Sequence, residues 1–133
     1  MFNVDHYAIS VGNMDKSIEF YSQLDFELLK DWEADDGSVR IVHMMNEGFI
    51  LEMFCYPDCE ELPEFAKNLN TDLKIIGAKH LGLWVEDLEY VAEHLQQIGV
   101  LNAKPTISKG RMGRPYFFIK DPNGIFVEII SAR

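Results

Sequence analysis

The sequence predicts an α+β fold made of two βαβββ modules in a single domain of 133 residues. Three observations predict it. The chain carries one plan twice, a strand followed by an amphipathic helix, over residues 4–24 and again over 78–98. Its strand-like runs alternate apolar and polar residues, the pattern of a sheet covered on one face. Turn signals then divide the stretch after each helix into three further strand-like runs: Asp36-Gly37 and Asn46-Glu47-Gly48 in the first half, residues 109–113 and Asp121-Pro122-Asn123-Gly124 in the second.

Each element has its own signal. In the opening strand Tyr7, Ile9 and Val11 share one face, and Leu81, Leu83 and Val85 do so in its counterpart. Asn13 is placed to cap the first helix and Asp87 the second. Leu88, Val91, Leu95 and Ile98 form one apolar stripe, closed by Gly99. Met14, Ser17, Tyr21 and Leu24 stand at the matching positions of the first helix, and only Ser17 breaks the apolar match. Module one covers 1–56, a linker 57–77 and module two 78–133, with one short helix in the linker opening at Pro63 and ending near Asn68.

Composition narrows the function classes. A 47% hydrophobic chain with 12% aromatic residues has material for a core. Twelve basic against twenty-two acidic residues give a formal charge of -10, which disfavours nucleic acid and anionic membrane as partners. There is no run of apolar residues long enough to span a bilayer and no signal-like N-terminus, so a cytoplasmic location is expected. Cys55 and Cys59 make neither a disulfide framework nor a four-ligand zinc site by themselves, and are read as reduced thiols.

The chemistry lies on the strand face turned away from the helices. By parity His6 and His80 point opposite to the apolar residues of their strands, and so do Glu52 between Leu51 and Met53 and Glu128 between Val127 and Ile129. A glutamate between apolar neighbours is costly to bury as an unpaired ion and needs a cation. Singly, each of these residues has an ordinary surface or structural explanation. Together they occupy equivalent places in the repeat, and two imidazoles with two carboxylates suit one divalent metal ion: Zn, Ni, Co, Mn or Fe. His43 and His94 lack this symmetry and are read as structural or exposed.

At these residues the chain resembles the vicinal oxygen chelate superfamily of glyoxalases, bleomycin resistance proteins and dioxygenases. The segments that carry the likeness are Asp5-His6-Tyr7-Ala8-Ile9-Ser10-Val11, Phe20-Tyr21, Lys79-His80-Leu81-Gly82-Leu83-Trp84-Val85 and, most specifically, residues 117–128 with Asp121-Pro122-Asn123-Gly124 inside them. The resemblance implies a curved eight-stranded mixed sheet cleft and a homodimer. Within the superfamily the ligand pattern is similar to glyoxalase I, whose residue equivalent to Glu128 also moves the substrate proton. Extradiol dioxygenases use two histidines and one glutamate, methylmalonyl-CoA epimerases usually carry glutamine at the place of Glu52, and bleomycin-binding relatives lack the metal set. This chain departs from glyoxalase I in having Ser10 for an arginine and Tyr56 for an asparagine, both of which hold glutathione there, so a glutathione adduct is not implied. It also runs Gln23-Leu24-Asp25-Phe26 where relatives have a Leu-Gly-Phe turn one residue longer.

The expected function is a metal-dependent isomerase or lyase that abstracts a proton beside a carbonyl and stabilises the enediolate on the ion. Glu128 is the expected base and Glu52 the alternative, while Arg111 and Arg114 in the loop 109–114 are candidates to hold an anionic group of a small-molecule substrate. Two other functions stay open: a non-catalytic module that binds a drug or metabolite, and thiol transfer to an antibiotic.

Overall fold

Each main helix opens where a short polar side chain takes up a free backbone amide. Asn13 accepts from the Lys16 N–H at the head of α1 (Met14–Ser22), and Asp87 accepts from the Tyr90 N–H at the head of α3 (Leu88–Gln97). The computed structural model describes residues 1–133 and places them in two compact units, Met1–Glu61 and Leu62–Arg133.

The first unit holds β1 (His6–Ser10), α1, β2 (Glu27–Glu33), β3 (Arg40–Asn46) and β4 (Phe49–Cys55) in one mixed sheet of order β1-β4-β3-β2. The parallel pair is β1 with β4, and the rest is antiparallel. The second unit repeats the plan with β5 (Leu81–Val85), α3, β6 (Ser108–Lys109), β7 (Pro115–Lys120) and β8 (Phe126–Ser131) in the order β5-β8-β7-β6, where β5 is parallel to β8. The α+β fold of twice βαβββ is therefore present strand for strand.

Alternation decides what each sheet buries. In the first unit Val42 and Met44 of β3 and Leu51 and Met53 of β4 are fully buried, together with Met14, Ser17, Phe20 and Tyr21 of α1. In the second, Phe117, Ile119, Val127 and Ile129 bury with Leu88, Ala92 and Leu95 of α3. Each such large apolar side chain contributes about 1.5–3 kcal/mol of burial free energy, so the helix-facing side of each sheet carries most of its unit's stability. The stripe expected along α3 shifts by one residue: Ala92 is buried in place of Val91, and Ile98 is 40% exposed. Ile98 drops out of the stripe because the helix ends at Gln97, leaving it as the C-cap before Gly99, whose φ is 82°.

Two turns bear on the site. At the exit of α1, Asp25 takes a left-handed φ of 64°, and the next residue, Phe26, donates its N–H to the Tyr21 carbonyl. Between β3 and β4 both central residues, Glu47 (φ 46°) and Gly48 (φ 81°), are left-handed, the geometry that closes a hairpin in two residues. That turn sets Asn46 against Phe49 and, three pairs further along, His43 against Glu52.

Most of the linker folds with the second unit. The helix expected after Pro63 is a 3-10 turn (Glu64–Lys67), and Asn68, expected near its end, also caps a short further helix not foreseen, α2 (Leu69–Asp72), by accepting from the Asn70 N–H. Lys79 Nζ ties α2 down by donating to the Asp72 carbonyl at 2.7 Å and to its carboxylate at 3.2 Å. A cavity of about 260 Å³ lies under this segment, lined by Leu62, Phe65, Ile75 and Phe126 among others, but not by His80 or Glu128. No helix is long and apolar enough to cross a membrane.

Candidate metal centre

Each unit brings its histidine and its glutamate together. His6 and Ala8 of β1 lie on the same face as Glu52 of β4, because Ala8 is the register partner of Glu52 in the parallel pair. His6 Nε2 is 3.5 Å from Glu52 Oε1. In the second unit Gly82 is the register partner of Glu128, His80 precedes it by one alternation, and His80 Nε2 is 3.4 Å from Glu128 Oε2. The residue beside each glutamate is small, and a Cβ added at Gly82 would stand 3.6 Å from Glu128 Oε2.

Those separations are long for a hydrogen bond and suitable for two donors on one ion. A nitrogen and an oxygen each about 2.1 Å from a tetrahedral ion lie about 3.4 Å apart. Within each unit, the spacing of the imidazole nitrogen and the carboxylate oxygen thus fits two donors on one divalent ion. The structure gathers no group of three or more His, Cys, Asp or Glu side chains that could hold an ion.

The two histidines are supported differently. Asp5 accepts from His6 Nδ1 at 2.7 Å, which directs Nε2 toward Glu52, the support that a carboxylate commonly gives a metal-binding imidazole. This hydrogen bond raises the His6 pKa above the usual imidazole value; slight desolvation opposes it and the nearby Glu52 charge adds to it. His80 packs edge-on against Phe118 at 4.8 Å between ring centroids, and its buried Nδ1 has no hydrogen-bond partner in the protein.

His43, read from sequence as structural or exposed, stands beside the site. Its Nε2 is 2.6 Å from Glu52 Oε2, and its ring stacks near that of His6 with centroids 6.5 Å apart. The signal that finds it is the hairpin turn, since counting outward from Glu47-Gly48 pairs His43 with Glu52. His94 stacks on Tyr90 along α3 at 6.0 Å and takes no part. In the loop before β7, Arg111 is exposed, whereas Arg114 donates from Nε and Nη2 to the Ser131 carbonyl and so ties the start of β7 to the end of β8. Ser10 is exposed on the His6 face of β1, and Tyr56, just past β4, is also exposed.

Comparison with known proteins identifies the family and the fold. The model of the Glyoxalase/Bleomycin resistance protein/Dioxygenase superfamily matches residues 3–129. The chain belongs to that superfamily. Among its relatives is the uncharacterised protein YwkD of Bacillus subtilis, 24% identical over 96% of this chain and 94% of its own. A glyoxalase family protein from Enterococcus faecalis shares the fold with a TM-score of 0.80 at 22% identity, over 96% of both chains. A trypanothione-dependent glyoxalase I of Leishmania major shares it with a TM-score of 0.69 at 19% identity, over 98% of this chain and 87% of that one. The superfamily includes glyoxalase I enzymes and proteins that bind bleomycin, and its members often bind a divalent metal.

Proposed function

We propose that this superfamily member is a metal-dependent isomerase or lyase of the glyoxalase I kind, with His6, Glu52, His80 and Glu128 holding one divalent ion: Zn, Ni, Co, Mn or Fe. The observation that carries the reading is the matched pair in each unit, an imidazole nitrogen 3.5 or 3.4 Å from a carboxylate oxygen on the face away from the helix. When bound, the ion supplies Lewis-acid polarisation of a carbonyl next to the carbon that loses its proton. Glu128 is the base. No donor in the protein hydrogen-bonds its carboxylate, and Gly82 beside it leaves space for it to turn between ion and substrate.

Arg111 at the exposed loop offers a charge to a substrate carboxylate or phosphate, while the Arg114 guanidinium is engaged by the Ser131 carbonyl. The substrate is a small oxygenated metabolite or its thiol adduct, and Ser10 and Tyr56 argue against glutathione as the thiol. The two units that share the ion belong to one chain or to two copies in a homodimer. The free thiols Cys55 and Cys59 suit a reducing cytoplasm.

Elemental analysis of the purified protein tests the reading. Near-stoichiometric divalent metal that disappears in a Glu52→Gln, Glu128→Gln double variant supports it, and turnover in a screen of dicarbonyl adducts and acyl-CoA epimers then assigns the substrate. A second reading, a non-catalytic binding module, is favoured by the aromatic cluster beside His80: Tyr116, Phe118 and Phe126 meet edge to face at 5.5 and 5.9 Å and offer ring surfaces to a flat ligand. Metal-free protein that binds a bulky aromatic compound tightly would favour it instead.

A further inference from the structure

Glu52 and Glu128 occupy the same place in their sheets, yet the residue across the antiparallel pair differs. Opposite Glu52 on β3 stands His43, and opposite Glu128 on β7 stands Phe118. The consequence is a division of the Glu52 carboxylate: Oε2 is taken by His43 Nε2 at 2.6 Å, and Oε1 is left facing His6 Nε2 at 3.5 Å. A hydrogen bond to a carboxylate is stronger than one between neutral groups, so it fixes the rotamer as well as occupying the oxygen. At 2.6 Å the His43 contact is also much closer than two donors sharing one ion would stand, so His43 acts on Glu52 and not on the ion.

We infer that His43 is a positioning residue that pins Glu52, so that Glu52 offers the ion the single oxygen Oε1 and stays in place while the unpinned Glu128 moves. The inference rests on the metal-dependent reading proposed above, and it gives the two carboxylates unequal tasks within it. No other group competes for the role: the neighbour of Glu52 on β1 is Ala8, which has no polar side-chain atom.

The test is a Co(II) titration of wild type, His43→Phe, His43→Asn and His43→Gln against a chromophoric chelator, with the visible spectrum of bound Co(II) recorded for each. Phenylalanine copies the second unit. Asparagine keeps a polar side chain but is too short to reach Oε2, whereas the glutamine amide nitrogen reaches about as far as imidazole Nε2. The Phe and Asn variants should bind Co(II) about ten- to a hundredfold more weakly and show altered band positions, as loss of a group that orients a ligand does. The Gln variant should return to within about threefold of wild type, a recovery that a merely structural role would not produce. If wild type binds Co(II) and the Asn variant matches it in affinity and spectrum, the pinning is overturned while the metal reading stands. If wild type binds no Co(II), the metal reading falls and this inference with it.

Discussion

The two units place the same four-strand frame around the same pair of residues and then line it differently. Around Glu52 the frame is polar: Asp5 orients His6, and His43 holds the second carboxylate oxygen. Around Glu128 it is aromatic, with His80 packed on Phe118, which in turn meets Tyr116 and Phe126, and with the His80 Nδ1 left without a protein partner. Duplication preserves strand order and register, since both follow from the alternation of apolar residues. It does not preserve the neighbours of the site, which one substitution per strand can exchange. In the metal-dependent reading proposed above, one half would hold a ligand still, and the other would let one move.

The sharpest way to break this contrast is to remove the carboxylates one at a time. Glu128→Gln should retain more metal than Glu52→Gln while turnover of the assigned substrate falls about 10²- to 10⁴-fold, the usual cost of losing a positioned base. Glu52→Gln should lose metal as well as activity. Equal metal loss in both, measured by elemental analysis beside kcat, would erase the distinction.

Next in size is the core under each sheet. Leu51→Ala in the first unit and Ile129→Ala in the second should each cost about 2–5 kcal/mol in chemical denaturation, because both side chains are almost completely buried. A loss below about 1 kcal/mol at either position would mean that its sheet is not packed as described. Asp5→Asn is a finer probe. It removes the negative charge behind His6 and should weaken Co(II) binding about tenfold without changing the metal-free melting temperature.

The smallest effect concerns the edge of the first sheet, which has no counterpart in the second. Arg40 donates from Nε and Nη2 to the Asp31 carboxylate at 3.0 and 2.7 Å and from Nη1 to Asp15 on α1 at 2.9 Å. The guanidinium holds Asp31 below its ordinary pKa of 3.8, with minor desolvation opposing. A depressed folded-state value contributes stability above the ordinary pKa, which is lost as pH falls through the folded one. Arg40→Gln should therefore be less stable than wild type by at most about 1 kcal/mol at neutral pH, and the gap should shrink in urea titrations taken to about pH 3 and below.

Much of the fold and the site is legible in the sequence because strand parity is a local property. His6, Glu52, His80 and Glu128 each stand out by pointing away from apolar neighbours, and a repeated plan pairs them without knowledge of the fold. His43 escapes because symmetry between the halves is the filter, and its importance lies in breaking that symmetry. The turn Asn46-Glu47-Gly48 is visible in the sequence, but only the left-handed pair Glu47-Gly48 fixes the loop at two residues and so dictates the pairing. On α3 the spacing of apolar residues allows Val91 or Ala92 to face the sheet, and the structure buries Ala92. In the linker, α2 spans four residues and has too little periodicity to be read. Arg114 shows in the sequence only as a charge, and its bonds to Ser131 depend on β7 and β8 lying side by side.

The tight connection between β3 and β4 has a consequence for how such a protein changes over generations. Strand residues alternate between faces, so a one-residue slip of β3 against β4 would turn His43 inward only by turning the buried Val42 and Met44 outward. Insertions and deletions at this turn are therefore costly, and the pairing of residue 43 with residue 52 is guarded by the same apolar residues that form the core.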